Sequence, residues 1–282
     1  MAVWRRAVTL LAVPVFNYFL VFLAAAVGGA INSVAGGGTL VTFPAVVWLG
    51  VPPLSANATS TVALWPGSLA SMWAFRGELD GTRSWLVWFT APSIAGGLTG
   101  ALLLLYTPAG RFEKIVPFLV LGATLLFLLQ RTITRALARH QLDAGATAGA
   151  TADATDTAKR EVMPRPSAWF LLAQFGVAVY GGYFGAGIGI LMLATLGLMG
   201  LTNIHKMNGL KNWGATCING FAAMMFVFSG IVEWPVALAM AAGALSGGHI
   251  GASLALRAGQ IWVRRTVIAV GFGAFFWLLL AR

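Results

Sequence analysis

The chain has 282 residues, 59% of them apolar and only 9% Asp, Glu, Lys or Arg, against about 25% charged in an ordinary soluble domain. This excludes a soluble globular protein, because several uncharged apolar runs exceed the roughly 18 residues that read as a membrane span. The runs are continuous and rich in Leu, Ala and Gly, which sets aside a β-barrel with its alternating strands of about 10 residues. The net charge of +10 flanks apolar segments, where translocon and anionic lipid read it, so it does not mark nucleic acid.

Arg5 and Arg6 precede an apolar stretch that starts at Leu10 and continues past Ala35. The opening resembles a signal peptide but has no convincing cleavage end, so a retained first helix is expected. Ten apolar segments follow one another, at about 10–35, 39–51, 58–75, 85–106, 115–130, 168–184, 188–201, 212–232, 235–256 and 266–281. The segments 39–51 and 188–201 reach only about 20 Å against a hydrocarbon core of about 30 Å. Each predicts a broken or re-entrant helix, of the kind tolerated at membrane depth where it is buried in protein or lines a wet cavity.

Between Gln130 and Ser167 the chain turns polar and low in complexity, with QLDAGATAGATADATDTAKREVMPRP from Gln141. This predicts a disordered linker over 131–167, between membrane units at 1–130 and 168–282. The two units repeat each other. VAGGGTLVTFPAVVWLG from Val34 parallels FGAGIGILMLATLGLMG from Phe184. At an offset of 151, AGGLTGA from Ala95 parallels SGGHIGA from Ser246, and Lys114 to Leu129 parallel Arg265 to Leu280. Five crossings per half would invert the second repeat and put 13 of the 18 basic residues, the linker's included, on one side. The positive-inside rule makes that side cytoplasmic. If the short segments do not cross, the repeats are parallel and the split softens to 11 against 7; the inverted arrangement is the expected one. The fold class is therefore an all-α polytopic membrane protein with 8–10 transmembrane segments, two of them short.

The strongest chemical signal is a polar stripe. At 100° per residue, Asn208, Asn212 and Asn219 fall within about 40° of each other, with Lys211 and Thr216 at the edges. Such residues face a bundle interior, a partner or water rather than lipid. The offset carries Asn208, Lys211, Asn212 and Asn219 onto Asn57, Ser60, Thr61 and Ser68, so two related stripes can enclose a central site. Asn and Ser also serve as ordinary interhelical glue. Lys211 fits that role poorly, since no acidic residue lies in an apolar interior. An anionic substrate would partner it, unless it snorkels to the interface. His205 and Lys206 read as interfacial.

Gly36, Gly37, Gly38 and Thr39, and in the second half Gly185, Gly187 and Gly189, mark where helices break and restart. Fresh helix starts offer N–H groups and partial positive charge to an anion, whereas close packing is the plainer use of the glycines. In SANATS, Ser55 or Asn57 reads as the N-cap of the third segment. His249 is an intramembrane ionisable residue present in one repeat only, a candidate for proton coupling or simply a neutral histidine bonded to a carbonyl. Asn32 and Gln174 are minor candidates, and the lone Cys217 reads as a small core residue. There is no metal-ligand spacing, no nucleophile with a base, and no nucleotide-binding motif, so neither an enzyme nor a cofactor or metal site is expected.

The Gly-rich breaks AGGGTLVTFPAV and FGAGIGILMLAT, the Ala-Asn-Ala-Thr-Ser stretch and the polar linker between halves resemble the TauE/SafE family of sulfite-exporter-like permeases. LKNWGATCIN, with Lys211, Asn212 and Asn219, is similar to that family's second-half pattern. The resemblance implies export or exchange of a small sulfur-containing anion such as sulfite or a C2 sulfonate across a bacterial-type inner membrane. The expected site then comprises Lys211 for charge, Asn208, Asn212, Asn219, Asn57, Thr59, Ser60 and Thr61 as donors, and Gly37, Gly38 and Gly187 for backbone N–H groups. Expected partners are the anion and the bilayer, with a homodimer left open. An uptake permease for a related anion and a non-transport membrane assembly factor are the rival readings.

Overall fold

A computed structural model describes residues 15–34, 36–74, 76–79, 82–148, 166–199, 201, 203–258 and 260–280. Among them are ten α-helices and one short 3-10 turn at Arg76–Leu79. The first half contributes α1 (Val15–Val34), α2 (Thr39–Trp48), α3 (Pro53–Ala74), α4 (Arg83–Tyr106) and α5 (Ala109–Ala148). The second contributes α6 (Ala168–Tyr183), α7 (Ile188–Leu198), α8 (Ile204–Ser229), α9 (Trp234–Ala258) and α10 (Gln260–Leu280).

Local chemistry sets several boundaries. Ser167 caps α6 by accepting from the Phe170 amide at 3.2 Å, and Asn203 caps α8 through the amides of His205 and Lys206. Gly230, left-handed at φ 73, ends α8. The expectation that Ser55 or Asn57 caps the third segment is corrected: α3 starts at Pro53, and the Pro52 carbonyl already accepts from Ala56. Proline at the first helical position has its φ preset and gives up only an N–H that would have had no helical partner, so the helix begins upstream of the Asn. Helix α5 continues beyond Gln130 as far as Ala148, into the stretch expected to be linker, where an Ala-rich sequence sustains helix. Residues 149–165 of that stretch lie outside those described.

Polar side chains are found inside the bundle among an apolar core, and large apolar side chains cover the outside. Thr42, Asn57, Thr59, Ser60, Ser68, Ser93, Thr124, Gln174, Lys211 and Asn212 are buried, whereas Phe19, Val87, Trp88, Phe118, Leu172, Phe228, Leu238 and Phe276 point outward. Only lipid is a good solvent for that surface. The stretches Val15–Asn32, Trp85–Tyr106 and Ala109–Gln130 are each long and apolar enough to cross a bilayer. The protein is a multi-pass membrane protein.

The helices pair across the two halves: α1 with α9, α4 with α6, α3 with α8, and α5 with α10. Small residues allow the close approaches. Gly29 meets the Ala244 backbone and Gly247 that of Ala26; Gly96 and Gly100 lie on α6 against Phe175 and Val179. Contact register fixes directions. On α4 and α6, Phe89 stacks on Phe170 and Ser93 bonds Gln174, so the two run parallel. On α3 and α8, Trp65 meets Gly220 while Ser68 meets Thr216, so these run antiparallel. On α5 and α10, Phe118 packs on Phe275 and Thr124 on Gly271, again antiparallel.

Candidate functional site

The two short helices stop well short of a bilayer's thickness. Helix α2 has 10 residues and α7 has 11, about 15–17 Å at 1.5 Å per residue. Each follows a glycine turn: Gly36 takes φ 74, and Gly185 and Gly187 take φ 81 and 80, conformations that cost L-residues about 1–2 kcal/mol. The turns meet, since a Cβ on Gly36 would stand 2.8 Å from the Gly189 Cα. Two interrupted helices, one from each half, thus touch backbone to backbone inside the bundle.

Against this contact lies a small polar cavity of about 10 Å³, room for about one water molecule. Ser68 and Ser71 of α3 and Lys211, Asn212 and Ala215 of α8 line it, with Asn32, Gly36, Ile188 and Gly189 closing it. Lys211 is seven residues into α8, only 1% exposed, and its Nζ has no hydrogen-bond partner. Burial of this kind argues against snorkelling, which would carry the ammonium to water. The Asn212 Nδ2 beside it is likewise buried and unpartnered. Bare buried donors cost free energy unless something accepts from them. Asn32 Nδ2 donates to Ser68 Oγ at 3.3 Å, tying α1 to α3 at the cavity edge.

The remaining expected site residues are spread more widely. Asn208 donates its amide to the Ile204 carbonyl of its own helix. Asn219 faces the Gly185 turn, its Oδ1 3.8 Å from where a Cβ of that glycine would be. Asn57 donates to the Tyr183 carbonyl at 2.9 Å, Thr59 accepts from the Glu233 amide, and Thr61 donates to the Asn57 carbonyl. Ser60 is fully buried with no partner. Gly37 lies beneath the Phe127 ring, Gly38 on the Gly28 carbonyl, and Gly187 beside Ala123 and Leu126 of α5. None of these three glycines lines the cavity, which Gly36 and Gly189 border instead. Ser71, not singled out from sequence, joins it. Its signal was the spacing of three from Ser68, which puts both on one face of α3. The side chain of His249 lies outside the described residues.

A family model described as sulfite exporter TauE/SafE matches residues 21–278, nearly the whole chain. The chain belongs to the TauE/SafE family. A probable membrane transporter protein of Haemophilus influenzae is 27% identical over 256 residues, covering 90% of this chain and 91% of that one. The probable membrane transporter protein YfcA of Escherichia coli is 28% identical, covering 89% and 85%. The probable membrane transporter protein ORF9 of a Sinorhizobium species is 27% identical, covering 88% and 87%. No solved structure matches. This TauE/SafE protein is thus a membrane transporter, and its buried donors and paired helix breaks are features to be read in that light.

Proposed function

We propose that this protein is a secondary transporter that exports a small sulfur-containing anion, sulfite or a C2 organosulfonate, across the cytoplasmic membrane. The observation that carries the reading is Lys211: a buried ammonium without a carboxylate, next to a bare Asn212 amide, facing the junction of two helix breaks. Two donors and one positive charge suit an oxyanion, with the hydroxyls of Ser68 and Ser71 at its flank. Sulfite has four heavy atoms and the cavity has space for about one water, so binding requires the α1–α2 or α6–α7 break to open. Interrupted helices are the elements able to open without unpacking a whole span.

Two inverted halves fit the packing. If all ten segments cross, α3 and α8 run in opposite directions, as do α5 and α10; if the short pieces turn back, both pairs run parallel. The antiparallel contacts Trp65–Gly220 and Phe118–Phe275 support ten crossings. With the basic residues counted as above, the 131–167 segment is then cytoplasmic.

The test is flux of labelled sulfite, taurine and small carboxylates in proteoliposomes, with pH gradient and membrane potential set independently. Saturable sulfite or sulfonate flux that Lys211→Ala abolishes is the expected result. Equal flux in wild type and variant, or none across the panel in vesicles holding folded protein, would overturn the reading.

A further inference from the structure

We propose a second site, for a sodium ion, on the first-half stripe at Asn57 and Ser60. It lies beside the α6–α7 break and couples sodium movement to transport. The coupling rests on the anion-transport reading above; the site itself does not.

Ser60 stands apart among the buried hydroxyls. Thr42, Thr61, Ser68, Ser71, Ser93, Thr124 and Thr216 all donate to the carbonyl four residues back. Thr82 donates to Leu79, and Thr59 accepts from Glu233. Ser60 alone among the described buried serines and threonines has no hydrogen bond, at 0% exposure. Three residues earlier on the same face, Asn57 is also 0% exposed. Its orientation is fixed because the Tyr183 carbonyl can only accept, so the amide nitrogen points there at 2.9 Å. The bare atom is therefore the acceptor, Oδ1. Asn219 brings a further amide oxygen to the same turn, 3.8 Å from the Cβ position of Gly185.

The two stripes thus expose opposite chemistry. On α8 the unpartnered atoms are nitrogens, Lys211 Nζ and Asn212 Nδ2; on α3 they are oxygens, Asn57 Oδ1 and Ser60 Oγ. Ser60 occupies the position 151 residues before Lys211, so one half carries a fixed cation where the other carries a neutral oxygen. Hard oxygen ligands take hard cations. With amide and hydroxyl ligands and no carboxylate among them, charge balance favours a monovalent ion over a divalent one. A cation bound there offsets the charge of an anion carried at the Lys211 cavity, so the two cross a low-dielectric core together at less cost than either alone. Export proceeds when the outward anion gradient exceeds the inward sodium gradient.

The test is binding of 22Na+ to the purified full chain in detergent by scintillation proximity, in sodium-free gluconate buffer lacking sulfite and sulfonates. Saturable binding displaced by unlabelled sodium gluconate and not by choline is expected, weakened at least tenfold in Ser60→Ala and in Asn57→Ala. Ser60→Ala deletes a hydroxyl that bonds nothing, so it keeps the fold; Asn57→Ala also loses the Tyr183 contact and is read against its elution profile. No saturable binding by monodisperse wild type, or wild-type affinity in Ser60→Ala, overturns the site. Sulfite flux in vesicles is expected to fall at least tenfold when sodium is replaced by choline; unchanged flux overturns the coupling. Sodium binding in a protein that moves neither sulfite nor a sulfonate would leave this site standing and count against the anion reading alone.

Discussion

Trp65 of α3 donates its indole N–H to the carbonyl of Thr216 of α8 at 3.3 Å, across 151 positions of sequence. The bond therefore ties the first half of the chain to the second at the crossing of α3 and α8. Thr216 adds a second link by donating its hydroxyl to the Ser68 carbonyl at 3.2 Å. The cavity at Lys211, Asn212 and Ala215 lies just before Thr216, toward the start of α8, so the polar chemistry sits close to where α3 and α8 cross.

Replacing Lys211 separates charge from packing. Lys211→Met keeps most of the volume and removes an unpartnered buried ammonium. Sulfite flux should fall more than tenfold, while stability in detergent should hold or rise by about 1–3 kcal/mol, the usual cost of a bare buried polar group. Paired flux and thermal-unfolding measurements check this; a variant that unfolds would make the lysine structural.

The glycine turns make a graded prediction. Gly50→Ala should cost about 1 kcal/mol, because the residue is left-handed at φ 87 with open space where the Cβ would go. Gly36→Ala carries the same strain and also drives a methyl against Gly189 of α7, adding about 1–3 kcal/mol for overpacking. Denaturation in mild detergent should rank the two in that order, and Gly36→Ala should also impair transport by wedging the breaks apart.

Helix glycines divide by what they face. Gly122 in α5 and Gly176 in α6 have nothing within 4 Å of a Cβ, so alanine there should be neutral or stabilising by up to about 1 kcal/mol. Gly247 lies on the Ala26 backbone, and Gly247→Ala should destabilise by more than about 2 kcal/mol because backbone cannot yield. Expression level and melting temperature of the three variants distinguish these outcomes.

The antiparallel α5–α10 pairing can be trapped. In a Cys217→Ser background, which removes the chain's single cysteine, Thr124→Cys with Gly271→Cys should form a disulfide on mild oxidation, since those positions touch. Thr124→Cys with Phe276→Cys, at about the same depth in a parallel register, should not. Gel mobility after cleavage of the 131–167 segment reports the link.

The sequence by itself determined the solvent, the helices, the two breaks and the burden on Lys211. Apolar run length, glycine placement and the lack of any intramembrane acid are local properties, and in lipid every backbone polar group must be satisfied within the helix, which leaves few alternatives. It could not say which glycines border the cavity. Gly37 and Gly187 share the composition of Gly36 and Gly189, but Phe127 and the α5 helix cover them. Nor could it tell that Asn57 spends its amide on Tyr183, 126 residues away, leaving an oxygen bare where a donor was expected. Those outcomes depend on how one half docks on the other, and a periodicity records only which face a residue is on, not what that face meets. The tertiary structure alone decided that the bare atoms on α8 are the nitrogens of Lys211 and Asn212 and those on α3 the oxygens of Asn57 and Ser60.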